Sequence, residues 1–269
     1  MHIFNLAFRR NMGSMVIWTI ILGGLLAIAM FLFPTMGPET LTATISGITS
    51  SMPQIAVEIL GLGSMKILAT LVGYFAFAFQ FVILLSMIFG AILGARSLTT
   101  EEGCGATEYI YAQPITRKTV ACQKLSAAIL TYFIYSLLIS AIALIMAFVF
   151  RTAPMMEIVL DMYPALLGLF FCGLIYIAIG FFFSSFLRSN GETIPIMIAV
   201  VLITYILGLM GNIVSRVSFL VYTSPIQFAN PIMLVQSGIN WIQWGIGAVV
   251  IILGIIAGLA IYKRKDFRS

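Results

Sequence analysis

The 269-residue chain is 61% hydrophobic and only 9% charged, with a net charge of +5 and a mean hydropathy of +1.12. A soluble domain carries about a quarter charged residues and roughly half apolar ones, so this composition cannot cover a water-facing surface and excludes a soluble globular fold. Nucleic acid is excluded as a partner as well, because the basic residues fall at positions flanking apolar runs and form no patch away from them.

The first eleven residues after Met1 place Ile3, Phe4, Ala7, Phe8 and Met12 on one helical arc, with Arg9 and Arg10 opposite. This predicts an amphipathic helix in the membrane interface, anchored at the headgroups by Arg9 and Arg10. The apolar run that follows, 14–33, is longer than the roughly 7–15 residues of a signal-peptide core, and no small-x-small cleavage site succeeds it. It is predicted to be a retained first span. The loop from Pro34 to Lys66 carries Ile45, Ile48, Met52, Ile55 and Ile59, a spacing that predicts a second surface-lying helix.

Crossing the hydrocarbon core takes about 20 apolar residues. Charge-free runs of that size recur at about 69–94, 125–150, 165–187, 193–214 and 244–262. The chain is thus predicted to be an all-α membrane protein of six transmembrane helices, a single domain over 1–269. Pro225, Asn230 and Pro231 interrupt 217–243, leaving a loop or short re-entrant helices. Gly90/Gly94 and Gly254/Gly258 are small-xxx-small pairs that permit close helix contact.

With six spans, one side of the membrane holds Arg9, Arg10, Arg96, Arg117, Lys118, Lys124, Arg188, Lys263, Arg264, Lys265 and Arg268. The other holds only Lys66, Arg151 and Arg216 of the 14 basic residues. The positive-inside rule then places both termini in the cytoplasm of a multi-pass cell-membrane protein.

Within the runs so drawn there is no Asp, Glu, Lys, Arg or His, which argues against a proton relay. No phosphate-binding GxxxxGK[ST], HExxH or GxSxG is present, and the chain is predicted not to be an enzyme. Cys104, Cys122 and Cys172 form no CxxC, and the single histidine is His2, so no metal site or disulfide framework is expected.

The segment between the second and third spans carries the chemistry. Thr99 or Thr100 is predicted to cap a helix whose first turn holds Glu101 and Glu102. Tyr109, Ile110 and Ala112 then offer an apolar surface, and Pro114 ends the helix. A further helix is predicted to start near Thr116 and to run through Lys124 into the third span. Acidic and aromatic groups presented together make this segment a docking surface for a soluble partner.

Glu101, Glu102, Gly105, Glu108, Pro114 and Arg117, with Lys124 beyond, resemble the signature of type-2 ABC-transporter permeases. That family includes exporters of antibiotics and peptides. Ala106 departs from the threonine usual in the motif. The Arg9–Arg10 pair on an interfacial helix, the amphipathic outer loop, six spans and the basic end from Tyr262 to Phe267 are similar to the family's layout.

The resemblance implies a permease subunit of an ATP-driven exporter, paired with a second permease that is an identical copy or a paralogue. Each permease would bind one ATPase subunit through a coupling helix, here carrying Glu101, Glu102, Gly105, Glu108 and Tyr109 and ending before Pro114 and Arg117. ATP and Mg would be bound by that partner and no cofactor by this chain. The cargo would be amphipathic or hydrophobic (peptide, antibiotic or lipid-like), moved out of the cytoplasm or inner leaflet. The alternatives are a secondary transporter or channel acting without an ATPase, and a membrane anchor that docks a soluble protein.

Overall fold

The computed structural model describes residues 2–36, 38–51, 57, 70–103, 116–151, 153–187 and 189–265. Among these, every regular element is helical: α1 His2–Met36, α2 Pro38–Ser50, α3 Leu71–Gly103, α4 Arg117–Val149, α5 Met155–Phe186 and α6 Asn190–Ile213. A 3-10 helix Ser215–Thr223 and two short helices, α7 Pro225–Phe228 and α8 Pro231–Ser237, lead into α9 Trp241–Arg264. Six of these helices (α1, α3, α4, α5, α6 and α9) are long and apolar enough to cross a membrane, one on each predicted run. In lipid no water is available to the peptide groups, so a spanning segment must satisfy them internally as a helix.

The helices overrun the apolar runs. α1 is unbroken from His2, so the amphipathic stretch through Met12 forms its first turns and not a separate element. Its 35 residues make a rod of about 52 Å at 1.5 Å per residue, well beyond the ~30 Å hydrocarbon core. The same lengthening carries Glu157 and Asp161 into the first turns of α5 and Glu192 into α6. Lys124 becomes a buried residue of α4. The outer-loop helix is present as α2, while Met52, Ile55, Ile59 and Lys66 lie outside the described residues.

Successive spans alternate in direction. One end of the molecule gathers the start of α1, the end of α3, the start of α4, the end of α5, the start of α6 and the end of α9. This is the end that holds most of the basic residues. α5 is the central helix, packed along α3 on one side and α9 on another, and α1 lies against α4.

The α3–α5 contact is backbone to backbone. A methyl group at Gly94 would meet the carbonyl carbon and Cα of Ile177 at 3.0 Å, and one at Gly180 would meet Ala91 O at 2.7 Å. At Gly90 the nearest atom would be Gly173 O at 3.1 Å. The predicted Gly90/Gly94 pair therefore does bring α3 close, and its counterparts on α5 are Gly173, Ile177 and Gly180. Gly254 and Gly258 do the same for α9, against Ala178 and Phe181 of α5.

Hydrogen bonds cross the bundle at intervals. Ser86 Oγ and Tyr135 Oη are 2.6 Å apart between α3 and α4. The Tyr132 hydroxyl donates to Leu169 O of α5 at 3.2 Å. Tyr176 Oη and Thr204 Oγ1 are 2.7 Å apart between α5 and α6. Each such bond contributes about 0.6 kcal/mol in a membrane protein.

Candidate functional site

Two parts of the bundle concentrate polar structure: the basic end, where the predicted docking segment is attached, and the opposite end, where the chain folds back on itself.

At the basic end the structure corrects one local prediction. Thr99 and Thr100 do not cap a new helix. Both lie inside α3, which continues through Glu101 and Glu102 to Gly103. Their hydroxyls turn back along the helix, Thr99 Oγ1 to Ala95 O at 2.8 Å and Thr100 Oγ1 to Arg96 O at 2.7 Å. An N-cap residue has non-helical backbone, and α3 runs through both threonines as helix.

The outer sides of the two threonines meet Asn190, the first residue of α6. Thr99 Oγ1 shares its one proton between Ala95 O and Asn190 Oδ1, the latter 2.6 Å away, and Asn190 Nδ2 donates to Thr100 Oγ1 at 3.3 Å. Asn190 thus clamps the end of α3 from a position 90 residues away in the chain.

The predicted start of the next helix is found where expected. Thr116 is the N-cap of α4, its Oγ1 accepting from Thr119 N at 3.3 Å. Arg117, the first residue of α4, donates from Nη1 to Lys265 O at 2.5 Å, and Lys265 Nζ donates to Leu187 O at 2.8 Å. These two bonds stitch the start of α4, the end of α9 and the end of α5 together. The described helix ends on either side of the motif are therefore both held, α3 by Asn190 and α4 by Lys265.

Of the other sequence-predicted site residues, Gly105, Glu108, Tyr109 and Pro114 lie outside the described residues, as do Cys104 and Arg188. Glu101 and Glu102 are placed in the last turn of α3. Arg9 and Arg10 are exposed on the second and third turns of α1. Asn190 and the Lys265 clasp were not singled out by the sequence. The Ser189-Asn190-Gly191 stretch reads there only as a connection between spans.

At the opposite end the broken stretch 217–243 forms short helices leading into α9, with residues 224–229 buried against the bundle and Phe219 and Tyr222 of the 3-10 helix exposed. Pro225 and Pro231 occupy first-turn positions of α7 and α8, where the missing N–H costs nothing. Asn230 caps α8, its Oδ1 accepting from Ile232 N at 3.1 Å. Asn240 caps α9 in the same way through Ile242 N at 3.1 Å. Gly238 closes α8 with a φ of 71°, a left-handed conformation that favours glycine.

The fold-back is held by polar contacts. Gln227 is buried, and its Oε1 accepts from Asn212 Nδ2 of α6 at 3.0 Å and from Asn230 Nδ2 at 3.4 Å. Cys172 Sγ of α5 donates to Pro225 O at 2.9 Å, and Trp244 Nε1 of α9 donates to Phe228 O at 3.2 Å. Gly168 of α5 leaves the space that Leu234 and Ala229 fill.

No group of three or more His, Cys, Asp or Glu residues among those described could hold a metal ion. The candidate site consists of tied helix ends at the basic end and a set of short helices packed in at the other.

Six alternating apolar helices tied by glycine contacts and sparse hydrogen bonds define a multi-pass α-helical membrane protein. A family model described as "ABC-2 family transporter protein" matches residues 9–267, nearly the whole chain, and the protein belongs to that family. Its members serve as membrane subunits of ABC transporters and are not themselves the ATPase. No curated protein matches the chain.

Proposed function

We propose that this chain is the permease subunit of an ATP-driven exporter and that the segment joining α3 to α4 is where a separate ATPase subunit docks. The observation that supports this most directly is that the helix ends flanking that segment are both tied to other helices, α3 at Asn190 and α4 at Lys265.

The position of Glu101 and Glu102 supports the same reading. α3 carries the two acidic residues of the motif up to the start of the segment, and a basic groove on a partner would complement their charge. In this reading ATP and Mg stay on the partner, and nucleotide-driven closure of the partner biases the bundle between two packings.

In this reading the basic end faces the cytoplasm of the cell membrane, which the 11-to-3 split of the 14 Lys and Arg residues supports under the positive-inside rule. Arg9 and Arg10 then anchor the start of α1 at the cytoplasmic headgroups. A second permease, identical or paralogous, completes the assembly, and the cargo is amphipathic or hydrophobic.

Exchanging Glu101 or Glu102 for Arg tests the docking assignment. The variants are expected to insert normally, to lose the copurifying ATPase subunit and to stop transport. Wild-type ATPase retention and transport in both variants would overturn the assignment.

A further inference from the structure

The Arg117–Lys265 bond does more than tie two helices. It brings the first turn of α4, with Arg117 and Lys118, alongside the last turn of α9, with Lys263 and Arg264. Five cations, counting Lys265, thus meet at one corner of the bundle from positions far apart in the chain. Lys118, Lys263 and Arg264 are exposed.

α9 continues this corner into the membrane as an apolar stripe. Val249, Ile252 and Ile256 are 53%, 56% and 60% exposed. At 100° per residue all three fall within about 40° of Lys263 on the helix surface. At 1.5 Å per residue they lie about 21, 16 and 10 Å from it along the axis. One leaflet of the hydrocarbon core is about 15 Å deep. The stripe therefore starts under the cations and ends at the bilayer middle.

We infer that this corner, where α4 begins and α9 ends, is a binding site for an anionic phospholipid. The phosphate sits against Lys118, Lys263 and Arg264, and the acyl chains lie along Val249, Ile252 and Ile256. A free phosphate would use the cations and leave the stripe idle, so the site is matched to an amphiphile with both parts. The opposite end of α9 begins with Trp241 and Ile242, both exposed, and no charge. The preference is therefore confined to one leaflet. The site stands on charge and exposure alone and does not depend on what the transporter carries.

The test is native mass spectrometry of the full chain in detergent, titrated with phosphatidylglycerol or phosphatidylcholine. Each cation near an anionic lipid surface is worth about fivefold, so the wild type is expected to prefer phosphatidylglycerol by about tenfold or more. The triple variant Lys118→Gln, Lys263→Gln, Arg264→Gln should bind the two lipids within about threefold of each other. Removing charge at the other end with Arg151→Gln and Arg216→Gln should leave the preference intact. If the triple variant does not insert, Lys263→Gln alone is expected to lower the preference by about fivefold.

Equal binding of the two lipids by the wild type, or an undiminished preference in the variants, would overturn the site. So would full competition by millimolar inorganic phosphate, which would mark a simple anion site. Loss of a copurifying ATPase subunit from the triple variant with unchanged lipid retention would assign the corner to protein docking instead.

Discussion

Gly94→Ala adds one methyl group at the tightest part of the α3–α5 contact. The new Cβ would stand 3.0 Å from the carbonyl carbon and Cα of Ile177, and closer still to its oxygen. Ordinary carbon contacts are about 3.5–4.0 Å, so the helices must part by roughly 0.5–1 Å there. Backbone cannot rotate aside as a side chain can. Gly180, seated against Ala91 O one turn away, is pulled out of contact by the same movement.

A gap of that size forfeits a quarter to a half of the dispersion well for the atoms lining it, and overpacking of this kind costs about 1–3 kcal/mol. The middle of that range, about 2 kcal/mol, lowers the folded-to-unfolded ratio about 30-fold. Gly24 and Gly245 provide the control, because a Cβ at either meets nothing within 4 Å. There the greater helix propensity of alanine leaves stability unchanged or raises it by up to about 1 kcal/mol. Unfolding in mixed detergent and SDS micelles, followed by helical circular dichroism, measures all three variants in one series. If Gly94→Ala and Gly24→Ala unfold at the same SDS fraction, α3 and α5 do not meet through their backbones as described.

Three further outcomes are expected. Gln227→Leu leaves Asn212 and Asn230 without their shared acceptor, a loss of about 1–2 kcal/mol that should appear first as protease cleavage within 215–240 while the six spans stay protected. Tyr132→Phe, which removes the donor to Leu169 O, should cost about 0.6 kcal/mol and not more than about 1.7; a larger loss would show the phenol doing more than bridging α4 to α5. In a Cys104→Ser background a membrane-impermeant maleimide should label exposed Cys122 only from the side bearing the basic end. Buried Cys172 should stay unreacted until the protein unfolds. Labelling of Cys122 from the other side would invert the proposed orientation.

Much of the architecture is legible in the sequence. Length and hydropathy of the runs mark six spans because lipid imposes a minimum on each. The proline and asparagine punctuation of 217–243 marks the fold-back because those residues act through their own backbone. Thr116 was legible as a helix start for the same local reason.

What escaped the sequence is what depends on distant partners. Thr99 and Thr100 carry the chemistry of caps, yet α3 runs on through them. Extending a formed helix costs far less than nucleating another, and Asn190 takes up their outer faces. Gly173 and Gly180 look like any glycines in an apolar run until the Tyr132 ring of α4 is laid against the first and α3 against the second. Gln227 and Asn212 are unremarked polar residues near a loop, and only the fold-back buries Gln227 and brings Asn212 to it. The Lys265 clasp lies in a basic stretch whose evident reading is charge, while the structure also uses its backbone carbonyl.

A helix pair with no side-chain layer between its members behaves as a laminated beam. Two rods bonded along a shared edge resist bending more strongly than two rods free to slide. The glycine seam from Gly90 to Gly94 on α3, and from Gly173 to Gly180 on α5, leaves few rotamers to soften a load. A tilt imposed at the Asn190 end is then carried as a tilt to the other end. There α5 holds the fold-back through Gly168 and Cys172. The stiffness of this chain is built from the residues with the least material in them.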